Sequence, residues 1–156
     1  MNENKIKLTS EELGLMSMFQ NISGATAKDC VIDPKVERVI FVVNRGEMGL
    51  AIGKSGETIK KVQKAIGKQI ELVEWSDDAK QFVLNSLNPQ YVTDIRLTER
   101  SDGSKIVTVV VDEKKKGAVL GKGGRNAEKA RLLARRYFSI ETIHIVTHND
   151  SANTFL

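Results

Sequence analysis

The sequence predicts an α+β protein built from two tandem domains that share one order of elements. A four-residue phrase of the form Gly-Lys-X-Gly occurs at residues 53–56 and again, 68 positions later, at residues 121–124. A short apolar stretch precedes each copy, and a basic segment with helical spacing of its apolar residues follows it. Around both copies the predicted order is helix, strand, strand, helix, tetrad, helix, strand. At 156 residues the chain has room for two small domains.

The first half of the chain is predicted to hold three helices and three strands. Thr9 and Glu12 form a capping box that begins the first helix, and Gly24 ends it. Alternating and continuous apolar runs predict strands, and the second of them is apolar on both faces. The remaining segments of this half are two strands over 26–33 and 36–44, helices over 47–52 and 57–66, and a third strand over 69–75.

The second half repeats this order. Ser76 is predicted to cap a helix that ends at Asn88 and Pro89. The turn at residues 101–103 predicts a hairpin between the next two strands. The predicted segments are strands over 91–99 and 105–111, a helix over 114–120, a helix that begins at residue 125, and a last strand over 140–146. Residues 149–156 are polar, and we expect them to be loose.

Positive charge is concentrated around the two tetrads. The whole chain carries a formal net charge of only +4. Residues 45–68 contain six basic and two acidic residues, and residues 112–136 contain nine basic and three acidic residues. A lysine-rich helix is often no more than a solvated face. Segregation of the charge onto both tetrad segments instead favours an electrostatic footprint for nucleic acid.

Each tetrad combines features that suit a phosphate-bearing ligand. Glycines let the backbone approach a ligand closely, and amides at the start of the next helix favour an anion. Lys54 and Lys122 add a mobile positive charge. The phrase is not a nucleotide-binding P-loop, because Met48 stands where the first glycine is required and Gly123 where the magnesium-binding Ser or Thr is required. A sugar-phosphate backbone is the simplest ligand for such a turn.

Several other classes of protein find no support in the composition. There is no apolar run long enough for a membrane span and no visible signal peptide. The single cysteine, Cys30, suits a reducing cytosol, so we expect a cytoplasmic protein. One cysteine and two histidines give no metal-ligand set of known spacing. We find no nucleophile–base pair, and we expect neither an enzyme nor a cofactor, a small-molecule substrate or a membrane partner.

The two tetrads, with the repeated element order, resemble the KH domain in its type II order, αββααβ. A G-x-x-G loop between two helices is the family signature, and it clamps about four nucleotides of RNA backbone. A narrower resemblance begins at residues 73–78, Val-Glu-Trp-Ser-Asp-Asp, and continues through Gln81, Phe82, Val83, Asn85, Leu87, Pro89 and Val92. This segment looks like the one that joins the two KH domains of the NusA family of transcription termination and antitermination factors.

The resemblance covers most of the chain and includes the small stand-alone NusA-like proteins of archaea. Bacterial NusA also carries an N-terminal polymerase-binding domain and an S1 domain, for which this chain has no room. The resemblance implies KH domains over residues 1–75 and 76–148 and a tail over 149–156. It implies that each domain is a three-stranded mixed sheet covered on one face by three helices.

The resemblance also implies single-stranded RNA, above all a nascent transcript, as the ligand, and RNA polymerase as a candidate partner. The residues that match the family loop are Gly53, Lys54, Ser55, Gly56, Gly121, Lys122, Gly123 and Gly124. Lys60 and Arg125 are further candidates for RNA contact. The expected apolar floor for the bases consists of Ile52, Ile59, Leu120 and Ala127, although core packing explains Ile59 and Ala127 equally well. Two domains would take about eight nucleotides, four each.

Two other functions remain open from the sequence. Type II KH domains also resemble parts of ribosomal and ribosome-maturation proteins, so a ribosome-associated or ribosome-assembly protein is the alternative. A protein-interaction scaffold without RNA binding is a second alternative, but intact tetrads with lysine in both copies argue against it. The sequence does not distinguish termination from antitermination.

Overall fold

The first half of the chain folds as the capping and apolar patterns predict. The computed structural model describes residues 6–87 and 89–148, so Asn88 and the predicted tail over 149–156 lie outside it. The chain divides into two compact units, unit 1 (Met1–Trp75) and unit 2 (Ser76–Leu156). The helices of unit 1 are α1 (Ser10–Ser23), α2 (Met48–Ile52) and α3 (Glu57–Ile66); its strands are β1 (Ala27–Asp33), β2 (Arg38–Val43) and β3 (Gln69–Glu74).

The sheet of unit 1 is mixed, as predicted. Its central strand, β2, runs antiparallel to β1 and parallel to β3. Each of the three helices places a buried residue in one common core, namely Phe19, Ala51 and Val62. The ring of Phe19 stacks on that of Phe41 in β2 with 4.5 Å between centroids. The three helices therefore cover one face of the sheet.

Unit 2 repeats this arrangement. Its helices are α4 (Ala79–Ser86), α5 (Lys116–Leu120) and α6 (Arg125–Phe138); its strands are β4 (Val92–Glu99), β5 (Lys105–Val111) and β6 (Ile140–Thr147). The central strand β5 is antiparallel to β4 and parallel to β6. Val83, Val119 and Ala130 bring α4, α5 and α6 into one core with β5. The predicted fold class, two tandem domains with three-stranded mixed sheets, is confirmed.

The helix caps show where local sequence signals succeed and where they mislead. The side chain of Thr9 accepts a hydrogen bond from the amide of Glu12, and the side chain of Glu12 accepts one from the amide of Thr9, as the capping box predicts. The predicted cap at Ser76 is wrong. Asp78 is the N-cap of α4 and accepts from the amide of Lys80, whereas the Ser76 hydroxyl accepts from the amide of Asp78. Ser76 and Asp78 could both cap this helix, and the carboxylate, two positions later in the chain, is the one that does so.

Central strands β2 and β5 are buried on both faces. All six residues of β2 are buried, and so are the last six of β5. This agrees with the apolar pattern of both segments. Strand β2 is shorter than predicted because residues 34–37 form a turn, and Glu37 there adopts a left-handed backbone angle, φ = 52°. In unit 2 a 3-10 turn, Glu113–Lys115, takes up the residues that were predicted to begin α5.

Candidate nucleic-acid interface

Residues 53–56, called loop 1, form a tight turn between α2 and α3. The amide of Gly53 donates to the carbonyl of Gly49 and closes α2, and the amide of Gly56 donates to the carbonyl of Gly53 at 3.1 Å. Three of the four residues have positive φ: Gly53 at 76°, Ser55 at 56° and Gly56 at 76°. Gly56 is also the N-cap of α3. The loop thus turns the chain from one helix directly into the next.

Residues 121–124, called loop 2, have nearly the same conformation between α5 and α6. Gly121 has φ 79° and ψ 167°, against φ 76° and ψ 172° for Gly53. Gly123 and Gly124 have φ 64° and 77°. The amide of Gly124 donates to the carbonyl of Gly121 at 3.0 Å, as in loop 1. Two different sequences, Lys-Ser and Lys-Gly, therefore adopt one backbone shape.

The first position of each loop requires glycine, because of its backbone angles and because no space is left for a side chain. Positive φ with ψ near 170° is a region that only glycine populates. A Cβ on Gly53 would stand 2.7 Å from the Cβ and 2.8 Å from the backbone nitrogen of Thr58. A Cβ on Gly121 would stand 3.0 Å from the backbone nitrogen of Asn126. The turn and the following helix are therefore in van der Waals contact without any intervening side chain.

The predicted loop lysines lie on the surface. Lys54 and Lys122 are exposed, and so are Ser55 and Gly123 beside them. Lys60, one turn into α3, is exposed as well. Arg125 is half-buried at the start of α6. Both loops therefore present exposed lysines next to the start of a helix, a combination that favours an anionic backbone.

The four residues predicted to form an apolar floor for the bases differ in their exposure. Ile52, 40 % exposed, is on the surface beside loop 1. Ile59 and Leu120 are half-buried and pack against the cores of their units. Ala127 is only 1 % exposed and belongs to the core of unit 2, so the core-packing explanation holds for it. Of these four residues, only Ile52 is exposed enough to offer a large part of its side chain to a base.

Sequence reasoning missed Leu50. It is the most exposed large apolar residue of the described chain at 54 %, and it lies on α2 together with Ile52. Because α2 has only five residues, it carries no repeat from which the buried face could be read. The sequence offered only the short apolar run Leu50-Ala51-Ile52 before the tetrad. Leu50 and Ile52 are about 200° apart around the helix, so they present two separate apolar side chains near loop 1.

The positive charge of unit 2 is less available than the sequence suggests. Lys129 is buried, 8 % exposed. The ammonium group of Lys115 lies 5.3 Å from the ring centroid of Tyr91. Arg131 approaches Glu128 at 3.8 Å and donates to the carbonyl of Ile143. Much of this charge stabilises unit 2 itself, so the count of basic residues overstates what a ligand would meet.

Two other kinds of feature, a metal-ion site and a membrane-spanning helix, are absent from the part of the chain that the structure describes. Within residues 6–87 and 89–148, no group of three His, Cys, Asp or Glu side chains could hold a metal ion. No helix in that part of the chain is long and apolar enough to cross a membrane.

Comparison with known proteins gives the class of this fold and site. The family model described as KH domain matches the chain twice, at residues 16–77 and 80–148. These two ranges contain loops 1 and 2 at corresponding places. The protein is a tandem KH-domain protein.

Comparison with individual relatives identifies the family within the KH-domain proteins. The chain is 32 % identical over 145 residues to a protein of Methanocaldococcus jannaschii named "Probable transcription termination protein NusA", covering 93 % of this chain and 78 % of that one. It is 36 % identical over 141 residues to a protein of the same name from Halococcus morrhuae, covering 90 % and 99 %. The solved structure "Crystal structure of APE1850" matches with a TM-score of 0.78 and 42 % identity, covering 88 % of this chain and 99 % of that one. The chain belongs to the NusA family as it occurs in archaea.

Proposed function

We propose that the protein binds single-stranded RNA and acts on nascent transcripts as a transcription termination or antitermination factor. The observation that carries this proposal is the pair of Gly-Lys-X-Gly turns with matching backbone angles, each exposing a lysine at the start of a helix. The archaeal relatives are named for transcription termination, and a Bacillus subtilis relative, 32 % identical over 87 residues, is named for termination and antitermination. We place its action in the cytoplasm, with RNA polymerase as a candidate partner.

Each loop clamps the sugar-phosphate backbone. The bare glycines allow phosphates to approach the main chain, and the amides that begin α3 and α6 face the anion. Lys54 and Lys122 neutralise phosphates from the side. The bases lie over the helix that precedes the loop, where Leu50 and Ile52 are exposed in unit 1 and Leu120 is half-buried in unit 2. Neither loop needs an aromatic platform for this mode of binding.

Because both clamps belong to one chain, binding at one raises the effective concentration of the strand at the other. Each loop alone takes about four nucleotides and binds weakly. Covalent linkage can raise the overall affinity by about 10²- to 10⁴-fold over that of one module. The salt dependence of log K has a slope of about −0.7 for each phosphate neutralised on a single strand. An RNA affinity that does not change as salt is raised would contradict the proposal.

The decisive experiment reverses the charge of each loop in the full chain. One variant is Lys54→Asp with Ser55→Asp, and the other is Lys122→Asp with Gly123→Asp. Aspartate suits the second position because it tolerates positive φ better than most side chains. We expect each variant to lose about 10²- to 10⁴-fold in affinity for single-stranded RNA, because only one module then binds, and the combination to bind almost none.

A matched control makes the same change of charge away from the loops. Lys7→Asp with Ser10→Asp also lowers the charge by three, at exposed residues, and an aspartate in the first turn of α1 is favourable. This control should bind RNA like the wild type, and circular dichroism should show all variants folded. Folded loop variants with wild-type affinity would contradict the clamp. Crosslinks to ribosomal RNA instead of nascent transcripts would favour the ribosome-associated alternative.

A further inference from the structure

Unit 1 contains a cavity at the end of the sheet farthest from loop 1 along α3. Helix α3 begins at Gly56 beside the loop and ends at Gly67, about 15 Å away by the rise of a ten-residue helix. The cavity has a volume of about 620 Å³. It lies where β1 turns into β2 and where α3 leads into β3. Its lining combines Ile32, Pro34 and Val36 with Gln63, Lys68 and Arg38.

The lining suits a neutral, amphipathic group better than an anion. Arg38 is 1 % exposed, and its guanidinium contacts Asp33 at 3.0 Å and Glu71 at 2.9 Å. Two carboxylates offset its charge, so the cavity offers little attraction to a phosphate. The apolar wall and the amide of Gln63 instead provide a surface to pack on and both a donor and an acceptor. A nucleobase has these requirements.

A row of lysines connects loop 1 with this cavity. Lys60 and Lys64 are one helical turn apart on α3, Lys61 is beside them, and Lys68 follows the helix. All four are exposed. In the part of the chain that the structure describes, none of their ammonium groups forms an ion pair, and Glu57 at the start of α3 is the acidic residue on this face. The row therefore carries an excess of positive charge from the loop to the rim of the cavity, where Glu37 is the exposed acidic residue of the lining.

We propose that unit 1 has an additional nucleotide subsite, beyond the four nucleotides of the loop clamp. The phosphate backbone leaves loop 1 along Lys60, Lys64 and Lys68, and one base enters the cavity and hydrogen bonds to the Gln63 amide. This subsite rests on the RNA-binding function proposed above. It makes unit 1 the longer of the two RNA-binding surfaces.

In unit 2 the corresponding row is interrupted, although Lys68 corresponds to Arg136 and Lys61 to the buried Lys129. With the offset of 68 residues between the loops, Lys60 corresponds to Glu128, Lys64 to Leu132 and Gln63 to Arg131. Glu128 and Arg131 face each other, and Arg131 also donates to a carbonyl of β6. A strand that leaves loop 2 along α6 therefore meets an acidic residue and an apolar one. The two units differ beyond their loops although the loops agree.

The two loop variants of the full chain test this difference, because each leaves one clamp intact. With loop 2 disabled by Lys122→Asp and Gly123→Asp, unit 1 alone should bind. We expect it to bind an oligouridylate of about eight nucleotides more tightly than one of about four, with a salt slope steeper by about 1.4 for two further phosphates. With loop 1 disabled, unit 2 should have the same salt slope for both lengths. Its affinity should differ only by the statistical factor that arises because a longer oligonucleotide offers more positions at which the loop can bind.

Further substitutions test which residues of unit 1 make it bind the longer oligonucleotide more tightly. On the background with loop 2 disabled, Lys64→Gln with Lys68→Gln should abolish the steeper slope, and Gln63→Leu should reduce the gain in affinity without changing the slope. Lys7→Gln with Lys80→Gln removes the same charge at exposed residues elsewhere and should leave both unchanged. An equal gain with length in both loop variants, or a gain that survives loss of Lys64 and Lys68, would overturn the subsite alone. Absence of RNA binding by the wild type would overturn the proposed function.

Discussion

Gly53 lies directly against Thr58, five residues further along the chain. A Cβ on Gly53 would be 2.7 Å from the Cβ of Thr58 and 2.8 Å from its backbone nitrogen. Protein atoms do not approach so closely without a shift of the backbone. The contact locks the first residue of loop 1 to the first turn of α3. It explains why the loop has a defined shape although its two middle residues, Lys54 and Ser55, are exposed.

Gly53→Ala should therefore cost far more stability than Gly56→Ala. At Gly53 the methyl group meets the backbone of α3, and the backbone angles belong to glycine alone, so we expect a loss of about 2–4 kcal/mol. At Gly56 a Cβ would meet only Ile59 Cγ2, at 3.9 Å, and the cost is that of a left-handed alanine, about 1–2 kcal/mol.

Denaturant unfolding followed by tryptophan fluorescence measures this difference. Trp75 is the single tryptophan of the chain and belongs to unit 1, where its amide donates to the carbonyl of Val43 at 2.8 Å. Its signal therefore reports the unfolding of unit 1. Gly121→Ala serves as the control, since it changes the equivalent glycine of unit 2. Equal destabilisation by Gly53→Ala and Gly56→Ala would contradict the argument from the Thr58 contact.

The sequence predicted the parts of the fold that depend on local signals. The paired tetrads, the capping box at Thr9 and Glu12 and the two-sided apolar pattern of β2 each lie within a few residues. Such signals act through backbone angles and hydrogen bonds between near neighbours, so a single sequence displays them.

Features that depend on packing between distant segments could not be predicted in this way. Lysine is usually found on the surface of a protein, yet the packing of α6 buries Lys129. The cavity in unit 1 joins residues 32–38 with residues 63–69, and no periodicity connects these two segments. The exposure of Leu50 depends on how a five-residue helix docks. Only the assembled core decides which of these side chains reach solvent.

Arg38 holds two acidic side chains of the sheet together, and its loss should destabilise unit 1. It is 1 % exposed, whereas Asp33 and Glu71 are 12 % and 16 % exposed. Removal of one partner of a buried ion pair costs about 3–5 kcal/mol because the remaining charges lose their compensation. We expect Arg38→Met to approach this loss, measured by the fluorescence of Trp75.

We expect the unpaired carboxylates of Asp33 and Glu71 to cause most of the destabilisation by Arg38→Met. A second variant tests this expectation. Arg38→Met combined with Asp33→Asn and Glu71→Gln removes the charges together with the guanidinium. It should recover a large part of the stability, since a neutral polar set needs no counter-charge. A triple variant no more stable than Arg38→Met would show that the packing of the long Arg38 side chain, not its charge, stabilises the sheet.

Ser139 ends α6 in a left-handed conformation that glycine adopts more readily. Its φ is 55°, and its amide donates to the carbonyl of Ala134. Glycine is the usual residue at this position of a helix end because it has no Cβ to clash there. Ser139→Gly should stabilise unit 2 by about 0.5–1 kcal/mol after the entropy cost of glycine is deducted. Ser139→Ala should give no such gain, and hydrogen exchange of the β6 amides measures both.

The hairpin between β4 and β5 contains Asp102, and the pKa of this single carboxyl group can be measured directly. The hydroxyl of Ser104 donates to Asp102 Oδ1 at 2.6 Å and its amide does so at 2.9 Å. These hydrogen bonds favour the charged form and hold the pKa of Asp102 below the ordinary value of 3.8. Ser104→Ala removes the stronger of the two and should raise the pKa of Asp102 towards that value. NMR titration of the carboxyl carbon measures it.

Asp94 provides the internal control for the same titration. A hydrogen bond from the guanidinium of Arg96 holds its pKa below 3.8, and Ser104 takes no part in this. Ser104→Ala should therefore leave the pKa of Asp94 unchanged. Both carboxyl groups have a lower pKa in the folded than in the unfolded chain, so their contribution to stability is present above pH 3.8 and is lost as the pH falls through their folded pKa values. Ser104→Ala should make this loss of stability in acid less steep, because the pKa of Asp102 in the folded chain then lies closer to its value in the unfolded chain.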